Sequence, residues 1–406
     1  MKNWILLSAT CLFFFNLNGQ TFTNYTTIDG LLSDNVNCVD VASNDDVWFG
    51  TQSGVSVFDG TIWSSHTIAS DAGFADNTIQ AICVTSSDDV WIGTDFGASY
   101  YIGGSWNLYT TLDGLGSDQI KCITEVDNGD IWFGTSSGAS LYDGTSWVNY
   151  GTAEGLPFGG VNSIEIQPNG DVWMGTGLSG MRILSGSTFT SITDVEGLLD
   201  NRIRATVTDL NNQHWVGTSD GITVLDNANS FSMNHTTMFT LPAPDTLNPV
   251  EDIKMDSQGN IWTGIYVDYL VTEGGVCAYN GSGWTEFHVA DGLVGPVVRA
   301  IAINSNDDVW VATSTGVSLI SDHAVGISEE LNTVSFSIYP NPSTDIVYIN
   351  TKEIAEAKEI NIYNSLMQNV YSNVINGVST AVEVNHFSKG VYFVQIAETT
   401  RKLIVH

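Results

Sequence analysis

Between residues 119 and 150 the chain reads as four short runs in which apolar side chains alternate with polar or small ones. Ile120 to Val126 forms the first run, and the turn Asp127-Asn128-Gly129-Asp130 leads into the second, which carries Trp132 to Thr135. Ser137-Gly138 precedes Ala139 to Tyr142, and Asp143-Gly144 turns into Trp147 to Tyr150. A period of two, broken by Gly and Asp where hairpin turns need positive φ, predicts four antiparallel strands.

The same pattern recurs along the chain. WFGT at 48, WIGT at 91, WFGT at 132, WMGT at 173, WVGT at 215, WTGI at 262 and WVAT at 310 are seven copies of one phrase, 41 to 48 residues apart. A β repeat of this length predicts propeller blades of four strands each. The outer-strand pattern with a trailing DGL-type link appears at Trp63, Trp106, Trp147, Phe189, Phe231 and Trp284, six copies for seven repeats. The missing copy stands at the other end: residues 22–32, FTNYTTIDGLL, have the outer-strand pattern with no blade before them, whereas the last repeat stops at Ser321 without one. The expectation is an all-β chain, a seven-bladed propeller closed by an N-terminal outer strand, which leaves no open edge between the first and last blades.

Residues 334–406 alternate differently, with apolar positions at Ile346, Tyr348, Ile360, Ile362, Tyr392, Val394 and Ile396, and predict a small Ig-like β-sandwich. Charge marks the same boundary. Residues 21–330 carry 39 acidic and 6 basic side chains, and residues 331–406 carry 6 and 5. At the other end, Met1-Lys2-Asn3, the apolar run Trp4 to Leu17 and the small or polar Asn18-Gly19-Gln20 have the form of a secretory signal peptide. The expected organisation is a signal peptide over 1–19, the propeller over 20–328 and a C-terminal module over 329–406. No later run reaches the ~20 apolar residues of a membrane-spanning helix.

The phrase W-x-G-T-x-x-G-V, followed by D-G and an aromatic, resembles the two-component regulator propeller repeat of bacterial sensor regions and some exported proteins. The C-terminal segment resembles the type A sorting domain of the Bacteroidetes type IX secretion system in Tyr339-Pro340-Asn341-Pro342, Lys389-Gly390-Val391-Tyr392 and Arg401-Lys402. That resemblance implies handling of residues 331–406 by the secretion machinery, removal of this domain during export, and a mature protein that is secreted or held at the outer-membrane surface. No kinase or receiver region accompanies the repeats, so function is expected to reside in the propeller.

Candidate chemistry follows from the columns counted back from each repeat Trp. Twelve residues before it the side chain is always β-branched: Val36, Ile79, Ile120, Val161, Ile203, Val250 and Val298. Eleven before, it is always polar: Asn37, Gln80, Lys121, Asn162, Arg204, Glu251 and Arg299. Ten before, it is mostly small: Cys38, Ala81, Cys122, Ser163, Ala205, Asp252 and Ala300. These columns open the innermost strands, so the polar set is expected at one mouth of the central channel. Lys121, Arg204 and Arg299, with Arg202 nearby, gather basic charge in an acidic domain and suit a carboxylate, sulfate or phosphate. The competing reading is that they pair with Glu251 and Asp252 and close the channel. Two insertions, the link after Phe231 and the loop after Trp262, are expected to place Phe239, Tyr266 and Tyr269 as an aromatic wall beside the mouth, a surface on which sugar rings pack.

These features point to binding of an anionic glycan or lipopolysaccharide. A polysaccharide lyase or hydrolase on the same face, or a non-catalytic accessory of surface assembly, stay open as alternatives. The sequence contains no HExxH or phosphate loop, and neither a catalytic set nor a cofactor is expected. Cys38, Cys83, Cys122 and Cys277 form no C-x-x-C pair, so no metal site is expected and a disulfide among the first three stays open. A first domain this acidic should repel nucleic acid, and a monomer is expected.

Overall fold

The computed structural model describes residues 20–241, 247–267, 273–321, 336–351, 358–364, 368–375, 379–396 and 399–405. The expected signal peptide and the expected boundary at 328/329 lie outside them. The chain divides into two compact units, Met1–Val325 and Gly326–His406. Among the described residues no helix is long and apolar enough to cross a membrane.

In the first unit, the described residues form seven four-stranded antiparallel sheets. Blades 1 to 6 each run inner to outer in chain order, and their inner strands are Val36–Val41, Ala81–Val84, Ile120–Glu125, Val161–Ile166, Ile203–Thr208 and Val250–Met255. Blade 7 takes Val298–Ile303, Val309–Thr313 and Gly316–Ser321 from the end of the repeat and its outer strand, Thr21–Tyr25, from the beginning. That strand pairs antiparallel with the third, Thr21 opposite Ser321 and Tyr25 opposite Val317. Phe22 lies against Gly292 of the preceding link, as Trp147 lies against Gly114 and Phe189 against Gly155. Asn24 Nδ2 donates to Gly292 O at 2.9 Å, the bond that Asn149 Nδ2 makes to Gly114 O in blade 3, also at 2.9 Å. The N-terminal segment therefore does in blade 7 what the outer strand does elsewhere, and it closes the ring between the first and last blades.

Each residue of the repeated phrase has a packing reason. All seven repeat tryptophans are buried between blades. The Thr hydroxyl donates across the turn to the Gly carbonyl three residues on, as from Thr51 to Gly54 at 2.8 Å, and accepts the N–H two residues on, as from Ser53 at 3.0 Å. The phrase glycine lies under the β-branched residue that opens the next blade. A Cβ at Gly50 would stand 2.7 Å from Ile79 Cγ2, and one at Gly217 2.6 Å from Val250 Cγ1. The two strongest periodic signals in the sequence are thus the two sides of one contact, repeated around the ring.

The second unit is a sandwich of a three-stranded sheet, Phe336–Tyr339, Ile346–Thr351 and Ser379–Glu383, and a four-stranded sheet, Asn369–Ile375, Lys358–Asn364, Gly390–Ile396 and Thr399–Val405. Both sheets contribute to one core, which includes Val347, Ile349, Ile360, Ile362, Val394 and Leu403. The expected apolar positions hold in the larger sheet. In Ile346–Thr351 the parity is reversed: Val347 and Ile349 face the core while Tyr348 is 41% exposed. Four consecutive large apolar residues, IVYI, leave the inward face undecided by pattern, and pairing to Ser379–Glu383 decides it. Asn341 of the YPNP motif donates to Lys402 O at 2.7 Å and accepts from Ile404 N at 2.9 Å, which ties the entry of the domain to its last strand.

Candidate functional site

The polar column reaches the channel mouth through a backbone irregularity. In six of the seven blades the first two strands slip register between the β-branched residue and the small one, for example between Val36 and Cys38 and between Ile203 and Ala205. The residue in the middle is left out of the ladder, and such a bulge turns its side chain away from the pleat. Gln80, in the remaining blade, donates its N–H to Gly93 O at 2.8 Å.

Two adjoining cavities open at this mouth. One of about 730 Å³ is lined by Arg202, Arg204, Glu251 and Arg299 together with Leu247, Pro249, Tyr266 and Val267. A second, of about 570 Å³, shares Arg202, Arg204 and Glu251 and adds Gln80, Lys121 and Asn162. Four of the propeller's six basic residues therefore meet at one opening.

Their partners follow the ring. Arg204 pairs with Glu251 of the next blade. Arg299 donates to Asn37 Oδ1 at 2.9 Å, and Asn37 passes the chain on to Ile79 O at 2.8 Å. Lys121 Nζ donates to Asn162 Oδ1 at 3.1 Å and to Gly159 O at 3.2 Å, and Asn162 donates to Ile203 O at 2.9 Å. Arg202, 58% exposed, holds Asp200 at 3.3 Å. Burial pushes the Glu251 carboxyl above the usual carboxylate range, and Arg204 and Arg299 offset that only in part. Asp252 instead accepts from Ile253 N at 2.8 Å and from Ile301 N of blade 7 at 2.9 Å.

Tyr266 lines the larger cavity. Phe239 does not join it. Asn248 Oδ1 accepts from Met238 N at 2.6 Å and from Phe239 N at 2.7 Å, which draws both side chains inward, and Phe239 is 5% exposed with its ring 4.4 Å from that of His288. The aromatic wall as expected from sequence therefore loses this member to the core. Tyr269 lies outside the described residues.

Deeper in the channel is a group that the three columns did not reach. Eight residues before each repeat Trp stand Asp40, Cys83, Thr124, Glu165, Val207, Lys254 and Ala302. Asp252 and then Asp40 hold the Lys254 ammonium charged and its pKa raised, against the opposing effect of its surroundings. Asp40 accepts from Val84 N of the next blade at 2.8 Å, so this layer also stitches blades together. The four cysteines outside residues 1–19 are free thiols. Among the described residues no group of His, Cys, Asp and Glu is placed to hold a metal ion.

Residues 337–406 match the family described as secretion system C-terminal sorting domain, and residues 73–96 and 114–137 match the two component regulator propeller. No curated protein matches the chain. Among solved structures, the chain is similar to the extracellular domain of the putative hybrid two component system BT3049 from B. thetaiotaomicron, with a TM-score of 0.64 and 17% identity, covering 95% of this chain and 57% of that one. It is similar to PorZ, a surface component of the type IX secretion system of Porphyromonas gingivalis, with a TM-score of 0.56 and 18% identity over 92% of this chain and 60% of that one. Virginiamycin B lyase from Staphylococcus aureus gives a TM-score of 0.54 at 14% identity, over 74% of this chain and 98% of that one. The chain thus spans less than two thirds of the length of the first two, and at these identities the likeness is one of fold. With the sorting domain at its end, the chain is a secreted or cell-surface β-propeller that carries two component regulator propeller repeats.

Proposed function

We propose that the propeller, residues 20–328 after removal of a signal peptide at 1–19, binds an acidic glycan outside the cell, as free polysaccharide or as lipopolysaccharide, at the basic channel mouth. The observation that carries this reading is the gathering of Lys121, Arg202, Arg204 and Arg299 around two adjoining cavities in a domain that is otherwise strongly acidic. Arg299 and Arg202 present guanidinium groups to the larger cavity, where a carboxylate or phosphate accepts paired charge-assisted hydrogen bonds. Tyr266 and Val267 add an apolar surface for a sugar ring to the lining of the same cavity. Glu251 already occupies Arg204, so an entering anion competes with it for that guanidinium. The sorting domain, residues 331–406, serves delivery and takes no part in binding.

The test is calorimetric titration of trigalacturonate and of purified lipopolysaccharide into the protein and into the double variant Arg204→Ala/Arg299→Ala. Charge-assisted hydrogen bonds contribute roughly 1.5–3 kcal/mol each, so the pair should weaken binding about a hundredfold or more, and affinity should fall as salt rises. A variant that melts at lower temperature yet binds as before would instead assign these cations to closing the channel around Glu251.

A further inference from the structure

We propose a second ligand site, for a neutral sugar residue, in the groove between blades 4 and 5 on the face opposite the basic mouth. The first hairpin turn of each blade lies on that face, and over much of the ring neighbouring turns are clamped together. A serine of one blade gives its N–H and O–H to a carboxylate of the next: Ser43 Oγ to Asp88 at 2.6 Å, Ser86 Oγ to Glu125 at 3.0 Å, Ser257 Oγ to Asp307 at 2.6 Å and Ser305 Oγ to Asp45 at 2.7 Å. Three of these carboxylates, Asp45, Asp88 and Asp307, sit at positive φ, 66°, 61° and 64°. Between blades 4 and 5 both halves of the clamp are changed. Pro168 stands in the serine's place with neither N–H nor hydroxyl, and Asn212 stands in the aspartate's place at φ 56°.

The groove between these two blades holds a cavity of about 260 Å³ whose lining includes Asn169, Asp171, Trp173, Asn212, His214 and Asn229. Its floor is the Trp173 and His214 ring pair, with centroids 4.1 Å apart. In blades 5 and 6 the equivalent indoles donate to Asp209 at 3.1 Å and to Asp256 at 3.0 Å. In blade 4 the matching position is Gln167, which is engaged with Thr208 of the next blade at 3.0 Å. Among the described residues the Trp173 N–H has no hydrogen-bond partner, and neither do the side-chain amides of Asn212 and Asn229. The Thr208 hydroxyl stands 2.9 Å from His214 Nδ1. Burial lowers the His214 pKa, so the neutral imidazole has one nitrogen that donates and one that accepts.

The groove therefore offers an indole donor, an imidazole nitrogen, free carboxamides that both donate and accept, and no cation. An anion finds no counter-charge beside Asp171, whereas a ring of hydroxyls, each both donor and acceptor, finds complements on several sides. The volume is below the ~300–1,000 Å³ of sites for larger ligands, which suits one monosaccharide unit.

Saturation-transfer NMR on the full chain, with methyl glycosides of glucose, galactose, mannose and N-acetylglucosamine at millimolar concentration, tests this. At least one should bind. Asn212→Gly/Asn229→Gly, which removes both carboxamides while glycine keeps the positive φ of 56° and 61°, should weaken it tenfold or more at unchanged melting temperature. Pro168→Ser/Asn212→Asp should rebuild the clamp and abolish binding, and Arg204→Ala/Arg299→Ala should leave it intact. The proposal is overturned if no glycoside binds, if binding survives the rebuilt clamp, or if it is lost with the arginines of the mouth.

Discussion

Gly50→Ala isolates the contact on which the repeat rests. The added methyl would meet Ile79 Cγ2 at 2.7 Å and Cys38 Sγ closer still, with Ile79 Cβ at 3.0 Å. None of these atoms is the free end of a flexible chain, so strand or blade must shift. Overpacking of this kind costs about 1–3 kcal/mol, and the reduced freedom of the unfolded chain returns ~0.4–1 kcal/mol, which leaves a net loss of about 1–2 kcal/mol. For a domain of about 300 residues that corresponds to a fall in Tm of roughly 2–3 °C. Blade 7 supplies its own control. There Ala312 holds the glycine's place, opposite Ala300 and packed with Val36 of blade 1. Transplanting that combination as Cys38→Ala/Gly50→Ala/Ile79→Val should recover about 1 kcal/mol relative to the sum of its parts, a coupling expected only of groups in contact. Scanning calorimetry of the cycle reads it. A neutral Gly50→Ala, or a triple variant no better than additive, would mean that this contact does not limit the packing of neighbouring blades.

Deleting residues 21–25 removes the outer strand of blade 7 and should lower Tm far more than deleting residues 331–406, as measured by the same calorimetry; equal losses would contradict closure. Glu251→Gln should free Arg204 and strengthen trigalacturonate binding several-fold at neutral pH. In the unsubstituted protein, affinity should rise as pH falls from neutral towards the usual carboxylate range, because protonation of Glu251 with its raised pKa removes the competing anion; Glu251→Gln should abolish that dependence in the titration. A carboxyl whose folded pKa is raised binds its proton more tightly when folded, so its contribution to stability declines as pH rises through that window. A Tm of Glu251→Gln that falls less than that of the unsubstituted protein over the same pH rise checks the sign.

The propeller was legible because its repeat encodes one contact seven times, so that Trp, Gly, Thr and the β-branched column each stand at a fixed offset. Closure was legible for the same reason, as a strand present at one end and missing at the other. What escaped was aperiodic. Phe239 shares an insertion with the cavity wall and is aromatic, yet Asn248, nine residues on, turns it inward, and no repeat position announces that bond. The layer of Asp40, Glu165 and Lys254 mixes charges, thiol and methyl groups in one column, so it leaves no uniform signal. The pairing of the basic residues was within reach. Arg204 with Glu251, Lys121 with Asn162 and Arg299 with Asn37 are neighbours in a single column of adjacent blades, so reading that column around the ring, and not only along the chain, brings them together.

A crystal structure of the protein with trigalacturonate decides whether the basic mouth is a ligand site or a sealed channel. A ligand site gives electron density in the 730 Å³ cavity, with a carboxylate on the Arg299 guanidinium, a sugar ring against Tyr266, and Arg204 shared between the ligand and Glu251. A mouth that keeps the Arg204–Glu251 and Arg299–Asn37 pairs unchanged and holds only water at saturating ligand would contradict it.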